Sequence, residues 1–459
     1  MRIRLTPRFF TQISKLSTRP SVILEENVSK SLEKTEYKPR KHPGVVHEKL
    51  IKIPEFLDDV VPKVIRDYPI ASVCLDAESL DRYLWSRHPP PTTEEVKSKQ
   101  EKFRAMYIEK GKLNFAEMTE VQKQKAEAAL FQKVQKRVKK EVYSWKNLQY
   151  DEYSALQYLM GRSPAEYAAL HRILSEIRVR DQAFTPNSYF DFGSGVGSSL
   201  WATISVFPKE KIFEYFMVDT SSAMNDLSEM ILRRGNPDGD AMIRNFYYRQ
   251  FLPASSTNTY DLVISAYTLF ELTSQDVRLQ TLKSLWTKTE KYLVLVERGT
   301  LAGFNLITEA RDFILKIDPE TSQVFAPCPH EFSCPRLADG TPCNFEVKFE
   351  NLRAFRKNNI QKEIFSYVVL KKRPRDLSRS EESWPRIVRP VLVRKKHSIC
   401  RLCTMEGKLQ EIIFTAAKHG KMTYHCARKS NWGDRLPISI QNPEKSSPEL
   451  SDEEIEAEK

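Results

Sequence analysis

Between residues 188 and 297 short apolar runs alternate with stretches of helical period, and this alternation is the strongest pattern in the chain. The runs 188–192, 212–218, 245–250, 260–266 and 292–297 are short and rich in β-branched and aromatic residues, so they predict strands. Helical segments separate most of them, including 198–206 and the stretch that ends at Thr289. Strands that alternate with helices predict an α/β fold with a parallel sheet, since a parallel neighbour needs a crossover connection. Two later runs, 345–349 and 365–370, read as an antiparallel edge pair closing that sheet. Upstream, 92–150 turns helical, with Ala126, Ala129, Leu130, Val134, Val138 and Val142 near every third or fourth position. The polar side of this helix carries Lys133, Lys136, Arg137, Lys139 and Lys140, a face for water or for phosphates. A further helical stretch, 153–180, leads into the first strand, and the proline-marked 26–60 reads as an extended lead-in.

Where the first strand passes into a helix the chain reads Asp191-x-Gly193-x-Gly195-x-Gly197. Glycines at such a turn let the backbone approach a ligand, and the helix start offers free N–H groups. Asp219 closes the second strand, where a carboxylate can accept from both hydroxyls of a ribose. The sixth-position glycine of the NAD fingerprint is missing, and the leading Asp with its tight Gly-x-Gly resembles class I S-adenosylmethionine methyltransferases. Asp191, Gly193, Gly195, Gly197 and Asp219 are therefore the candidate cofactor residues, for S-adenosyl-L-methionine. No catalytic set accompanies them. Enzymes that methylate base amino groups often carry Asp/Asn-Pro-Pro-aromatic after the fourth strand; here that place reads Ser265-Ala266-Tyr267-Thr268. Tyr267 and Glu271 are left to line an acceptor pocket, and a structural role is the simpler reading of both.

Six of the seven cysteines fall in the last third: Cys328, Cys334, Cys343, Cys400, Cys403 and Cys426, with only Cys74 upstream. Clustered thiols in a reducing compartment point to a metallocentre. The gaps within Cys328-x5-Cys334-x8-Cys343 are wide for structural zinc, and Cys-Pro pairs also occur in ferredoxin-type runs. Cys400-x2-Cys403 suits zinc better, so spacing leaves cluster and zinc, and the choice of fourth ligand, open. The compartment is read from residues 1–24, where Arg2, Arg4, Arg8, Lys15 and Arg19 are interleaved with apolar residues and no acid precedes Glu25. That is the composition of a mitochondrial presequence, which predicts the matrix. No apolar run approaches the ~20 residues a membrane span needs, so no membrane association is expected. The net charge of +12 is uneven: residues 371–435 hold 17 Lys and Arg against 6 Asp and Glu. Such a module is a footprint for nucleic acid, with Arg386, Arg389, Arg394, Lys395, Lys396, Arg428 and Lys429 as candidate phosphate contacts.

Several short motifs in order then carry a family resemblance: Leu295-Val-Glu297-Arg-Gly299-Thr300-x-x-Gly303-Phe304, Ala310-Arg311, Cys328-Pro-His330, the run 384–390, and 427–434. Over roughly 150–437 the chain resembles the mitochondrial small-ribosomal-subunit methyltransferase-like family. The resemblance implies a factor for small-subunit assembly that carries a four-cysteine 4Fe-4S site, here Cys328, Cys334, Cys343 and Cys400; Cys400 as fourth ligand rests on resemblance alone. The expected organisation is a presequence (1–24), an extended and helical region (25–150), a Rossmann-like methyltransferase-like domain (151–326), a cysteine-rich insertion (327–344), closing strands (345–372), a basic β-rich module (373–440) and an acidic tail (441–459). Three functions follow. One is an rRNA-binding assembly factor, a monomer on the small subunit, that keeps S-adenosylmethionine with its chemistry weak or lost. The others are an active rRNA methyltransferase and an iron–sulfur redox protein.

Overall fold

The computed structural model describes residues 21–253, 258–353, 360–376 and 380–441. The expected leader thus lies outside the described residues except for its last four positions, as does the acidic tail except for Gln441. Those four positions form a strand, β1 (Ser21–Leu24), antiparallel to Ile438–Gln441 with Val22 opposite Ile440. Cleavage after residue 24 would therefore remove a paired strand.

The main sheet comprises β2 (Ser188–Phe192), β3 (Glu214–Val218), β4 (Phe246–Arg249), β5 (Tyr260–Ala266), β6 (Thr289–Arg298), β7 (Ser322–Ala326), β8 (Phe345–Glu350) and β9 (Ile360–Lys372). Its order is β4-β3-β2-β5-β6-β9-β7, with β8 paired to β9. The first five strands are parallel, and β9 runs antiparallel to β6, β7 and β8. This is the expected Rossmann-like α/β architecture. In β6, Tyr292, Val294 and Val296 face one core while Leu293 and Leu295 face the other. Both faces are covered by helices, which explains why these strands read as continuous apolar runs rather than alternating ones.

Two expectations need correction. The closing strands are not an edge pair: β9 lies between β6 and β7, and only its first half pairs with β8. The strand β7, unforeseen in sequence, supplies the edge. The run Phe365–Leu370 is buried throughout, as a central strand must be. The helical stretch 92–150 is a hairpin of two helices, Thr93–Gly111 and Glu120–Glu141, followed by a non-helical strap. Thr92 and Glu95 exchange hydrogen bonds at the first helix start, and the Thr119 amide donates to Gln122 at the second. Lys112, in the left-handed conformation, ends the first helix.

The C-terminal module is a small sheet of β10 (Arg386–Ile387), β11 (Leu392–Val393), β12 (His397–Cys403) and β13 (Leu409–Thr415), backed by the helix Lys421–Lys429. The last strand, β14 (Ile438–Gln441), is the partner of β1. The module is fastened to the α/β domain by a buried ion pair, Arg386 to Glu176 at 2.6 Å. It is fastened to the N-terminal lead-in by Asp434, which accepts from the amides of Val46 and His47. No described helix is long and apolar enough to cross a membrane.

Candidate functional site

Strand order reverses between β2 and β5, and at their carboxyl ends lies a cavity of about 320 Å³. Gly193, Gly195, Val218, Asp219, Tyr267 and Thr268 are among its walls. Such a switch point is where open α/β sheets take their ligands. The Gly193 amide donates to Val218 O at 2.7 Å, and the Gly195 amide donates to Asp219 Oδ2 at 2.9 Å. The other carboxylate oxygen of Asp219 accepts from the Ser221 amide at 2.9 Å. Burial raises the pKa of Asp219, and these two backbone donors oppose the rise.

The glycines do different work. A Cβ on Gly193 would lie 2.1 Å from Thr268 Oγ1, so the fold itself requires that glycine. A Cβ on Gly195, whose φ is +51°, would meet only Tyr158 at 4.0 Å and would point into the cavity. Of the two glycines, Gly195 is held by its left-handed backbone and not by a close neighbour. Gly197 and Asp191 are not among the cavity walls. Asp191 is fully buried beneath the loop, where Tyr189 and Ser199 donate to it, and burial pushes its pKa up to about 7. It braces the turn; it does not face the pocket.

The strap 142–151 forms one wall of the cavity through Asn147, Leu148 and Tyr150. Contacts that hold it to the rim include Trp145 Nε1 to Phe270 O at 2.9 Å, Arg87 to Lys146 O at 3.0 Å, and Ser221 Oγ to Tyr150 O at 2.8 Å. Beyond it lies a second, much smaller pocket of about 30 Å³. That space is walled by Arg87, Tyr150, Tyr158, Arg162, Glu166, Tyr267, Glu271, Glu297 and Arg298. Arg162 bonds Glu363 at 3.1 Å and lies over the Tyr267 ring at 5.1 Å, and Arg87 pairs with Glu271. Tyr267 and Glu271 thus belong to this network while also lining the larger cavity. Sequence reading missed the network, although Arg162 and Glu166 were visible as charges one helical turn apart in an otherwise apolar stretch.

Among the cysteines, the structure gathers Cys328, Cys334, Cys343 and Cys403. The Cys403 thiol is pushed well above its ordinary pKa by burial and then by Cys328, Cys343 and Cys334. Cys334 is raised to about 11 by burial and by Cys328. His330 Nε2 lies 3.3 Å from Cys403 Sγ, and Arg311 donates to the carbonyls of His330 and Phe332, pinning the loop between them. Cys400, expected as fourth ligand, is not in this group. Three residues from Cys403 on β12, it faces the opposite side of the strand, into the module's own core of Ile387, Leu402 and Phe414. Burial alone raises it to about 12, and Cys426 likewise. As they stand, no three His, Cys, Asp or Glu side chains among the described residues converge closely enough to hold a metal ion.

The candidate RNA contacts divide. Arg386 is buried and spent on Glu176; burial pushes that carboxyl up, but Arg386 and Arg180 hold it down at about 2. A guanidinium so engaged cannot meet phosphate, so Arg386 leaves the set. Arg389 donates to Pro342 O at 3.1 Å and Asn344 at 3.2 Å, beside Cys343. Arg428 donates to Arg394 O and to Tyr424. Arg394, Lys395 and Lys396, between β11 and β12, and Lys429 are exposed.

Comparison with known proteins places these features. Residues 152–437 match the model of a family described as mitochondrial small ribosomal subunit Rsm22. The human mitochondrial ribosome assembly protein METTL17 is 36% identical over 91% of this chain and 90% of its own length. The mitochondrial ribosome assembly protein RSM22 of Saccharomyces cerevisiae is 25% identical over 40% of this chain and 45% of its own. Among solved structures, a magnesium protoporphyrin IX methyltransferase from Synechocystis aligns with 50% of this chain and 87% of its own at 12% identity and a TM-score of 0.29.

Proposed function

We propose that this chain, which belongs to the mitochondrial small ribosomal subunit Rsm22 family, is an assembly factor of the mitochondrial small subunit that works in the matrix by binding rRNA. In this reading the α/β domain holds S-adenosylmethionine as a structural ligand and does not transfer its methyl group. One observation supports the reading: the cavity beside Gly195 and Asp219 is open, while the small pocket next to it, which we take as the acceptor side, is crowded by the Arg162–Glu363 and Arg87–Glu271 pairs. A binding site with no room for a second substrate suits a scaffold.

Gly195, with its side-chain space free, and Asp219, a carboxylate of the cavity wall steadied by the Gly195 and Ser221 amides, fit the amino-acid and ribose ends of that ligand. Bound there it would supply an activated methyl sulfonium. What the chain's own residues do is bind it and shut out an acceptor. Drawn together, the thiols Cys328, Cys334, Cys343 and Cys403 would make an all-sulfur donor set of the kind a 4Fe-4S cluster or a tetrathiolate zinc takes. We read the group as the cluster, joining the loop after β7 to the end of β12 and so the α/β domain to the basic module. Iron, zinc and acid-labile sulfide in anaerobically purified protein test this, and stoichiometric zinc without iron would overturn it. For the function, a null cell line is complemented with Gly195→Val and scored for small-subunit abundance and rRNA methylation. Assembly should persist at least in part. Loss of a defined rRNA methyl mark together with assembly would establish an active rRNA methyltransferase instead.

A further inference from the structure

The hairpin of Thr93–Gly111 and Glu120–Glu141 is built as a separate body. Its helices bury Phe103, Leu130, Val134 and Val138 between them, in a core distinct from those of the sheet. On the second helix Lys125, Lys133, Lys136, Lys139 and Lys140 are all exposed. At 1.5 Å per residue they span about 22 Å, the reach of several successive phosphates. None of the five has an ion-pair partner among the described residues, whereas Arg137 in their midst is engaged by Glu141 and stacks on Phe103. The large exposed aromatic of this helix, Phe131, belongs to the groove between the two helices with Leu130 and Val134.

We propose that this lysine ridge is a second RNA contact, which grips the phosphate backbone of an RNA duplex independently of the C-terminal module. It rests on the reading of the chain as an rRNA-binding factor and adds where and what it binds. Lysines act as point charges that need only phosphates, and a straight, rigid helix presents them in a fixed line. Single strands are held instead by aromatic rings that stack on bases, and the ridge offers none. A backbone contact of this kind is independent of sequence and strongly dependent on salt.

The test uses the full chain and fluorescence anisotropy with an RNA duplex of about 20 base pairs and a single strand of equal length, across a salt series. Lys133, Lys136, Lys139 and Lys140 are changed together to Gln, which keeps helix propensity close to that of Lys. A control of equal net charge carries Lys41→Gln, Lys49→Gln, Lys283→Gln and Lys316→Gln, four exposed positions on other elements. The ridge variant should lose duplex affinity at least tenfold relative to that control, with the slope of log K against log salt shallower by up to roughly 3.6, about 0.9 per lost phosphate contact. Single-strand binding should change much less, and circular dichroism should match wild type. Duplex binding equal to the control's would overturn the ridge while leaving the assembly-factor reading intact. Wild type that binds neither RNA would overturn both. A ridge variant that keeps duplex binding yet no longer sediments with the small subunit would overturn the RNA contact in favour of a protein one.

Discussion

Cys400 and Cys403 sit three residues apart on one strand, so they point to opposite faces, and only Cys403 looks toward the loop of Cys328, Cys334 and Cys343. On the proposed cluster, Cys403→Ser should strip most of its metal, because a site short of one thiolate is labile. Cys400→Ser should keep its metal and lose only core packing in the small module. Metal analysis of the two variants side by side decides, and equal loss in both would refute the assignment. In the cofactor pocket, Gly195→Val should abolish calorimetric binding of S-adenosylmethionine, while Asp219→Ala should weaken it roughly ten- to hundred-fold, the ~1.5–3 kcal/mol of a charged hydrogen bond. Asp191 makes a pH prediction. Its carboxyl ionises near pH 4 in the unfolded chain but only at about 7 in the fold, so the native state binds more protons and stability falls as pH rises through that window. Glu297, raised to about 8 by burial, has the same sign. His42, depressed to about 4 by burial, acts in the opposite direction below pH 6.5. The difference between Asp191→Asn and wild type isolates the carboxyl: the variant's urea midpoint should drop less between pH 5 and pH 8, and an equal drop would remove Asp191 from the account.

At the scale of elements, helix Ser163–Arg180 holds the molecule together, because Glu176 on it meets Arg386 from β10 while Glu166 meets Arg162 at its start. Without Arg386, Glu176 keeps Arg180 at 2.9 Å and loses two buried charge-assisted hydrogen bonds, each typically worth ~1.5–3 kcal/mol. Arg386→Ala should therefore lower the unfolding midpoint steeply and let the C-terminal module unfold ahead of the α/β domain. Arg394→Ala, at an exposed position, should stay within ~0.5 kcal/mol of wild type. Both were equal candidates in sequence, and a single two-probe denaturation experiment separates them. The strands of the parallel sheet were legible because each is buried on both faces and reads as an apolar run. The edge strand β7 escaped notice because five residues with no period of their own take their meaning from β9.

For the molecule as a whole, function should track charge and not methyl transfer. Charge reversal at Arg394, Lys395 and Lys396 should abolish association with the small subunit and flatten its salt dependence, since fewer counterions are released on binding. Unchanged sedimentation of that variant through a salt series would show that the module's charge is idle. The sequence by itself determined the α/β class, the glycine turn with Asp219, the concentration of cysteines and the basic bias of the C-terminal module. These are local matters: period, turn chemistry and composition are written in neighbouring residues. Only the tertiary structure decided that Asp191 is a brace, that Arg386 is a buried tie, that Cys403 and not Cys400 lies by the other thiols, and that Arg87 pairs with Glu271 and Arg162 with Glu363 beside the cavity. Each of those depends on which partner arrives from far along the chain, 210 residues away for Arg386 and Glu176, and on the face a strand turns to it. A charge reads the same in sequence whether it meets solvent, phosphate or an opposite charge, and packing alone chooses among them.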